Sequence, residues 1–132
     1  MSSAGEQLCC LDLDAITPAQ LRSRLQALLD GDRGPRVPGL PVADAIQVAD
    51  ELVSNALRHG LPPRTCTVTL SPEPRLLIEV TDSSPDLPHI RPADDSGGLG
   101  LLLIDQMSAA WGCLRDDDGK TVWAELVADP SA

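Results

Sequence analysis

The chain has 132 residues, a 42% hydrophobic fraction and a net charge of −10, a length that suits one compact domain with a single core and is too short for two. Aromatics amount to two Trp, with no Tyr and no Phe, so the core must be built from Leu, Val, Ile and Ala. The acidity argues against nucleic acid as a partner, because phosphate binding needs clustered Lys and Arg; it suits solubility or a basic protein partner.

In chain order, residues 1–6 read as a frayed tail, 7–128 as a single domain and 129–132 as a second tail. Leu8 to Leu13 alternate as a first strand, with Leu11 and Leu13 on one side. Thr17-Pro18 starts a helix, the hydroxyl capping it and the proline taking the first helical position. Leu21, Leu25, Leu28 and Leu29 form its apolar stripe, which ends before Gly31. Glycines, prolines and charges make 30–41 a loop. A second helix runs from Pro41 or Val42 to about Arg58, with Ala45, Ala49, Leu52, Val53 and Ala56 as its buried stripe. Gly60 then offers a left-handed stop, with Pro62-Pro63 beyond it.

Strands are expected at Thr65–Leu70 and Arg75–Thr81, joined by a Ser-Pro-Glu-Pro turn. Residues 83–97, rich in Pro and Asp and without periodicity, form a surface loop or lid. A third helix runs from about Gly98 to Ala110. Two last strands, near Cys113 and over Thr121–Val127, are linked by a turn at Asp116-Asp-Asp-Gly119.

The four cysteines, Cys9, Cys10, Cys66 and Cys113, show no CxxC spacing, so no metal site or disulfide framework is expected. With no signal peptide and no apolar run of transmembrane length, the expectation is a cytoplasmic protein with reduced thiols and no membrane partner. His59 and His89 lack a partner that would complete a triad, and Trp111 and Trp123 suit packing better than ligand contact.

Three stretches can carry chemistry. Glu51 and Asn55 lie four residues apart, about 40° around a helix, so they share a face. A carboxylate and a carboxamide stacked beside an apolar stripe can hold hydrated magnesium and orient a nucleophile; an ordinary solvated face with a local hydrogen bond is the alternative. The period of two puts Asp82 on the same side as Leu76, Ile78 and Val80, the more apolar side. A carboxylate there must find a donor, and a pocket floored by it could accept an amino group such as that of adenine; initiation of the turn at Ser83-Ser84-Pro85 is the alternative. Ser96-Gly97-Gly98-Leu99-Gly100-Leu101 opens the third helix, where exposed N–H groups suit phosphate, although a glycine run is also a hinge. It is not a Walker A loop, since no Gly-Lys-Ser/Thr follows.

Taken in order, Glu51-x-x-x-Asn55, Asp82 at a strand end and Gly98-x-Gly100-Leu101 opening a helix resemble the N, G1 and G2 boxes of the GHKL (Bergerat-fold) ATPase superfamily. Within it the chain looks most like the bacterial anti-sigma-factor serine/threonine kinases. The phrases ELVSNALRHG, GGLGLLLIDQMSAAWG and GKTVWAEL are in that style, and the likeness covers about residues 40–127. The resemblance implies an α+β two-layer sandwich: a mixed, mostly antiparallel sheet of about five strands with three helices packed on one face. It implies ATP and Mg²⁺ as cofactors, with Asn55 ligating the metal and Glu51 acting as base on the attacking hydroxyl. Asp82 would accept from adenine, Gly98, Gly100 and Leu101 would approach the phosphates, and Thr121 matches a hydroxyl position near the adenine. The implied partners are a sigma factor or other regulator and a small STAS-like antagonist as phosphorylation substrate, with room for a homodimer.

The chain departs from the pattern at Asp82-Ser-Ser84-Pro-Asp86, where the family has Asp-x-Gly-x-Gly; this loop lacks glycine-only torsions. Asp94 and Asp95 also put negative charge before the phosphate site, with Arg91 to offset some of it. Two functions follow: a protein kinase in a partner-switching pathway controlling transcription, or a protein-binding module with little or no nucleotide turnover. Glu51 and Asn55 favour the first, and the missing glycines favour the second.

Overall fold

The computed structural model describes residues 5–31, 37–84 and 99–129. The expectations for the 85–98 segment, among them Gly98 as a phosphate contact, His89, Arg91, Asp94 and Asp95, lie outside those residues, as do those for 1–4 and 130–132.

The described elements are β1 (Glu6–Asp12), α1 (Pro18–Asp30), α2 (Val42–His59), β2 (Thr65–Ser71), β3 (Arg75–Asp82), α3 (Leu99–Met107), β4 (Ala110–Asp116) and β5 (Gly119–Val127). The strands form one sheet in the order β1-β2-β3-β5-β4. Every pairing is antiparallel, so the sheet is not mixed. Short turns join β2 to β3 and β4 to β5, and such hairpins admit only antiparallel pairing.

Strand alternation divides the sheet into two faces. Cys66, Val68 and Leu70 of β2, Leu76, Ile78 and Val80 of β3, and Val122, Ala124 and Leu126 of β5 are buried toward the helices. The register sets them in rows, Val68 opposite Ile78 and Ile78 opposite Ala124. Leu21, Leu25 and Leu29 of α1, Val48, Leu52 and Val53 of α2, and Ile104 of α3 complete the core. The other face carries Thr67, Glu79 and Trp123 in one row. Trp123 lies half-buried across Gly112, where a Cβ would come within 3.0 Å of its ring. Trp111 is likewise half-buried, its indole N–H donating to Asp105 at 2.8 Å and so tying β4 to α3.

α1 begins as its sequence prescribes. Thr17 accepts from the Gln20 N–H and the Gln20 side chain accepts from the Thr17 N–H, a complete capping box. α2 packs against α1, α3, β3 and β5 and so is the central helix of its layer. Its end differs from expectation: Gly60 is extended, at φ −89° and ψ 176°, not left-handed. α3 stops at Met107 rather than Ala110, because Ala109 already donates its N–H to the Glu125 carbonyl at 2.8 Å and leads into β4. Among the described residues no helix is long and apolar enough to cross a membrane.

Candidate functional site

Glu51 and Asn55 stand at the border of the α2 stripe. Leu52, Val53 and Ala56 are buried, whereas Glu51 and Asn55 are half-buried, as expected of polar positions one step around the helix from a core-facing row. The Asn55 Nδ2 atom is nonetheless buried and has no hydrogen-bond partner, a condition shared among the described residues only with Ser108 Oγ. Leaving such a donor unpaired costs about 1–3 kcal/mol, so the position suits an added acceptor such as a phosphate oxygen. Turning the amide by 180° would put Oδ1 there instead, an oxygen suited to a cation. Among the described residues no three His, Cys, Asp or Glu side chains group into a metal site.

The second part of the site lies at the end of the core-facing row of β3. Asp82 is 3% exposed and directly opposite Lys120 of β5. The Lys120 Nζ is 3.0 Å from Oδ2 and 3.2 Å from Oδ1, and Lys120 itself is only 6% exposed. Oδ1 also accepts from the N–H of Ser84 at 2.7 Å and of Leu61 at 3.4 Å. The two buried charges are tolerable because they meet; removing one partner from such a pair costs about 3–5 kcal/mol.

Two glycines make this packing possible. A Cβ on Gly60 would lie 2.5 Å from the Asp82 carboxyl carbon, so the glycine after α2 serves close approach rather than backbone handedness. Gly119, at φ +148°, would drive a Cβ into the Asp82 carbonyl oxygen. The chain leaving α2 is also stitched to β3, with the Ser83 N–H donating to the Leu61 carbonyl at 2.8 Å.

The residues singled out from sequence are thus only partly gathered. Glu51 and Asn55 ride on the helix that packs over β3, whose last residue is Asp82. Gly100 and Leu101 lie in the first turn of α3, which also packs against α2. Thr121 stands apart: on the face away from the helices, its hydroxyl is 2.8 Å from that of Thr81. Lys120 takes the inward place in β5. Alternation back from Leu126, Ala124 and Val122 would have marked it, since those apolar positions define the inward row.

Burial disfavours the thiolate at three of the four cysteines. Burial pushes Cys66 from an ordinary value of 9.0 up to about 12, and Cys9 and Cys113 shift upward chiefly for the same reason. All four cysteines are free.

Residues 42–130 match the family described as histidine kinase-, DNA gyrase B- and HSP90-like ATPase. Among solved structures the chain is similar to the RsbU and RsbW domains of Rv1364c from Mycobacterium tuberculosis. The identity there is 15% and the TM-score 0.64, over 91% of this chain and 32% of that one. It is also similar to the histidine kinase domain of a blue-light activated histidine kinase from Erythrobacter litoralis EL346. In that case the identity is 15% and the TM-score 0.53, over 96% of this chain and 64% of the other. The chain spans less than two thirds of either structure, and at this identity the likeness is one of fold. No curated protein matches the chain.

Proposed function

The chain belongs to the histidine kinase-, DNA gyrase B- and HSP90-like ATPase family, and from that premise we propose that it is an ATP-dependent serine/threonine protein kinase of the anti-sigma type. It would act in the cytoplasm, holding a sigma factor or similar regulator and phosphorylating a small STAS-like antagonist. The observation that supports this reading is the α2 pair, a carboxylate and a carboxamide one turn apart with the buried Asn55 amide lacking a partner.

Asn55 would hold Mg²⁺ together with the phosphates, and the backbone at Gly100 and Leu101 would present N–H groups at the positive end of α3. ATP, when bound, would supply its γ-phosphoryl group to the serine hydroxyl of the antagonist and leave as ADP. Glu51 would take the proton from the serine hydroxyl of the antagonist as that oxygen attacks. The protein's share is positioning and electrostatics. Thr121, on the far face of the sheet, is left out of this site.

One observation favours a second reading, a protein-binding module with little or no turnover: the Asp82 carboxylate is already engaged by Lys120. Calorimetric titration with ATP, with and without Mg²⁺, followed by a transfer assay on a STAS-like antagonist, separates the two. Magnesium-dependent binding in the millimolar range or tighter, about −4 kcal/mol or better, with transfer to a serine supports the kinase. Binding without transfer, or no binding, supports the module.

A further inference from the structure

We propose that Lys120 determines the base specificity of this site by occupying the acceptor that a purine amino group would otherwise use. The inference rests on the nucleotide-binding reading above and concerns its base end. Asp82, Ser84 and Lys120 are the buried polar or charged side chains among the described residues, and two of the three form one ion pair. A carboxylate offers about four acceptor positions. Here Oδ1 receives the Lys120 ammonium and the Ser84 and Leu61 N–H groups, and Oδ2 receives the ammonium again.

A neutral amino group donates roughly half as strongly as a charged one, so it does not displace the ammonium, and at the one position left on Oδ2 it meets a carboxylate whose charge Lys120 already offsets. Displacement would also leave Lys120 charged and unpaired beside Val122, in the inward row of β5. Nor can the pair swing apart easily. The carboxyl group lies in the space that Gly60 leaves open, and the Ser84 and Leu61 N–H groups hold its Oδ1 in place. A base arriving at this floor meets a neutralised pair, not a free carboxylate. The nucleotide is then held through its phosphates, and an amino group at the purine 6-position contributes nothing to affinity.

The test compares ATP with purine riboside triphosphate, which lacks only that amino group, by calorimetry on the intact chain and on Lys120→Met. The intact chain is expected to bind the two within about twofold. Lys120→Met is expected to bind ATP at least about tenfold more tightly than the intact chain does, with no gain for the analogue, because one hydrogen bond to a charged acceptor has been released. Thermal melting followed by circular dichroism checks that the variant folds. If the lone Asp82 charge unfolds it, the double variant Asp82→Asn/Lys120→Met removes both charges, retains an acceptor, and is expected to show the same preference for ATP.

A tenfold preference for ATP by the intact chain would overturn the proposal while leaving the nucleotide site standing. So would equal ATP binding by the intact chain and a folded Lys120→Met variant. No binding of either triphosphate by any of the folded proteins would overturn the nucleotide reading and the role of Lys120 with it.

Discussion

Glu51 and Asn55 share one turn of α2 yet have separable consequences. Glu51→Ala is expected to keep the fold and magnesium-dependent ATP affinity while phosphoryl transfer falls by about 10²–10⁴, the usual contribution of a positioned base. Equal transfer by the two proteins would remove Glu51 from that role. Asn55→Ala deletes a buried donor that has no partner, so the ligand-free protein should melt at the same temperature or higher. The same change should weaken ATP binding only when Mg²⁺ is present, and an unchanged magnesium dependence would count against Asn55 as a ligand. Gly119→Ala combines a φ of +148° with a Cβ directed at the Asp82 carbonyl. A loss of about 1–3 kcal/mol or more is expected for forcing such backbone, checked by urea denaturation.

At the scale of elements, the decisive feature is how α2 ends. Arg64 Nε donates to the Ala56 carbonyl at 2.9 Å, its NH2 to the Gly60 carbonyl at 3.1 Å and its NH1 to Asp14 Oδ1 at 2.7 Å. The Arg64 backbone N–H adds a bond to Asp14 Oδ2 at 2.9 Å. One guanidinium therefore satisfies helix-end carbonyls and ties them to the turn after β1, setting where the Gly60–Leu61 segment crosses Asp82. Arg64→Ala is expected to cost about 1.5–3 kcal/mol, as hydrogen bonds from a charged group do. Arg64→Lys should recover only part of that, because a single ammonium cannot reproduce the planar fork; urea midpoints of the three proteins decide it. The stripe of α2, the cap of α1 and the alternation of β2 and β3 were legible in the chain because each depends on neighbours within a few residues. Arg64 was not, since Pro-Pro-Arg-Thr carries no local sign of a helix cap.

For the molecule as a whole, the buried thiol sets an alkaline limit. Cys66 titrates near 9.0 when unfolded and at about 12 in the fold. Above pH 9 the unfolded chain therefore holds fewer protons than the native one, and stability falls as pH rises toward 12. Cys9 and Cys113 shift in the same direction. Urea midpoints measured at pH 8 and pH 10.5 should show the decline, and Cys66→Val should flatten it; an identical slope would mean that other groups govern alkaline unfolding. Helical and strand periods are properties of adjacent residues, so they were enough to locate the helices, the strands and the inward side of β3, and hence the buried position of Asp82. Tertiary structure alone decided that Lys120 meets Asp82 across a separation of 38 residues, that Gly60 gives way to a carboxyl group, and that Thr121 faces away from both. Those outcomes depend on which strands pair and in what register, and the register is fixed only when the whole apolar face is buried at once.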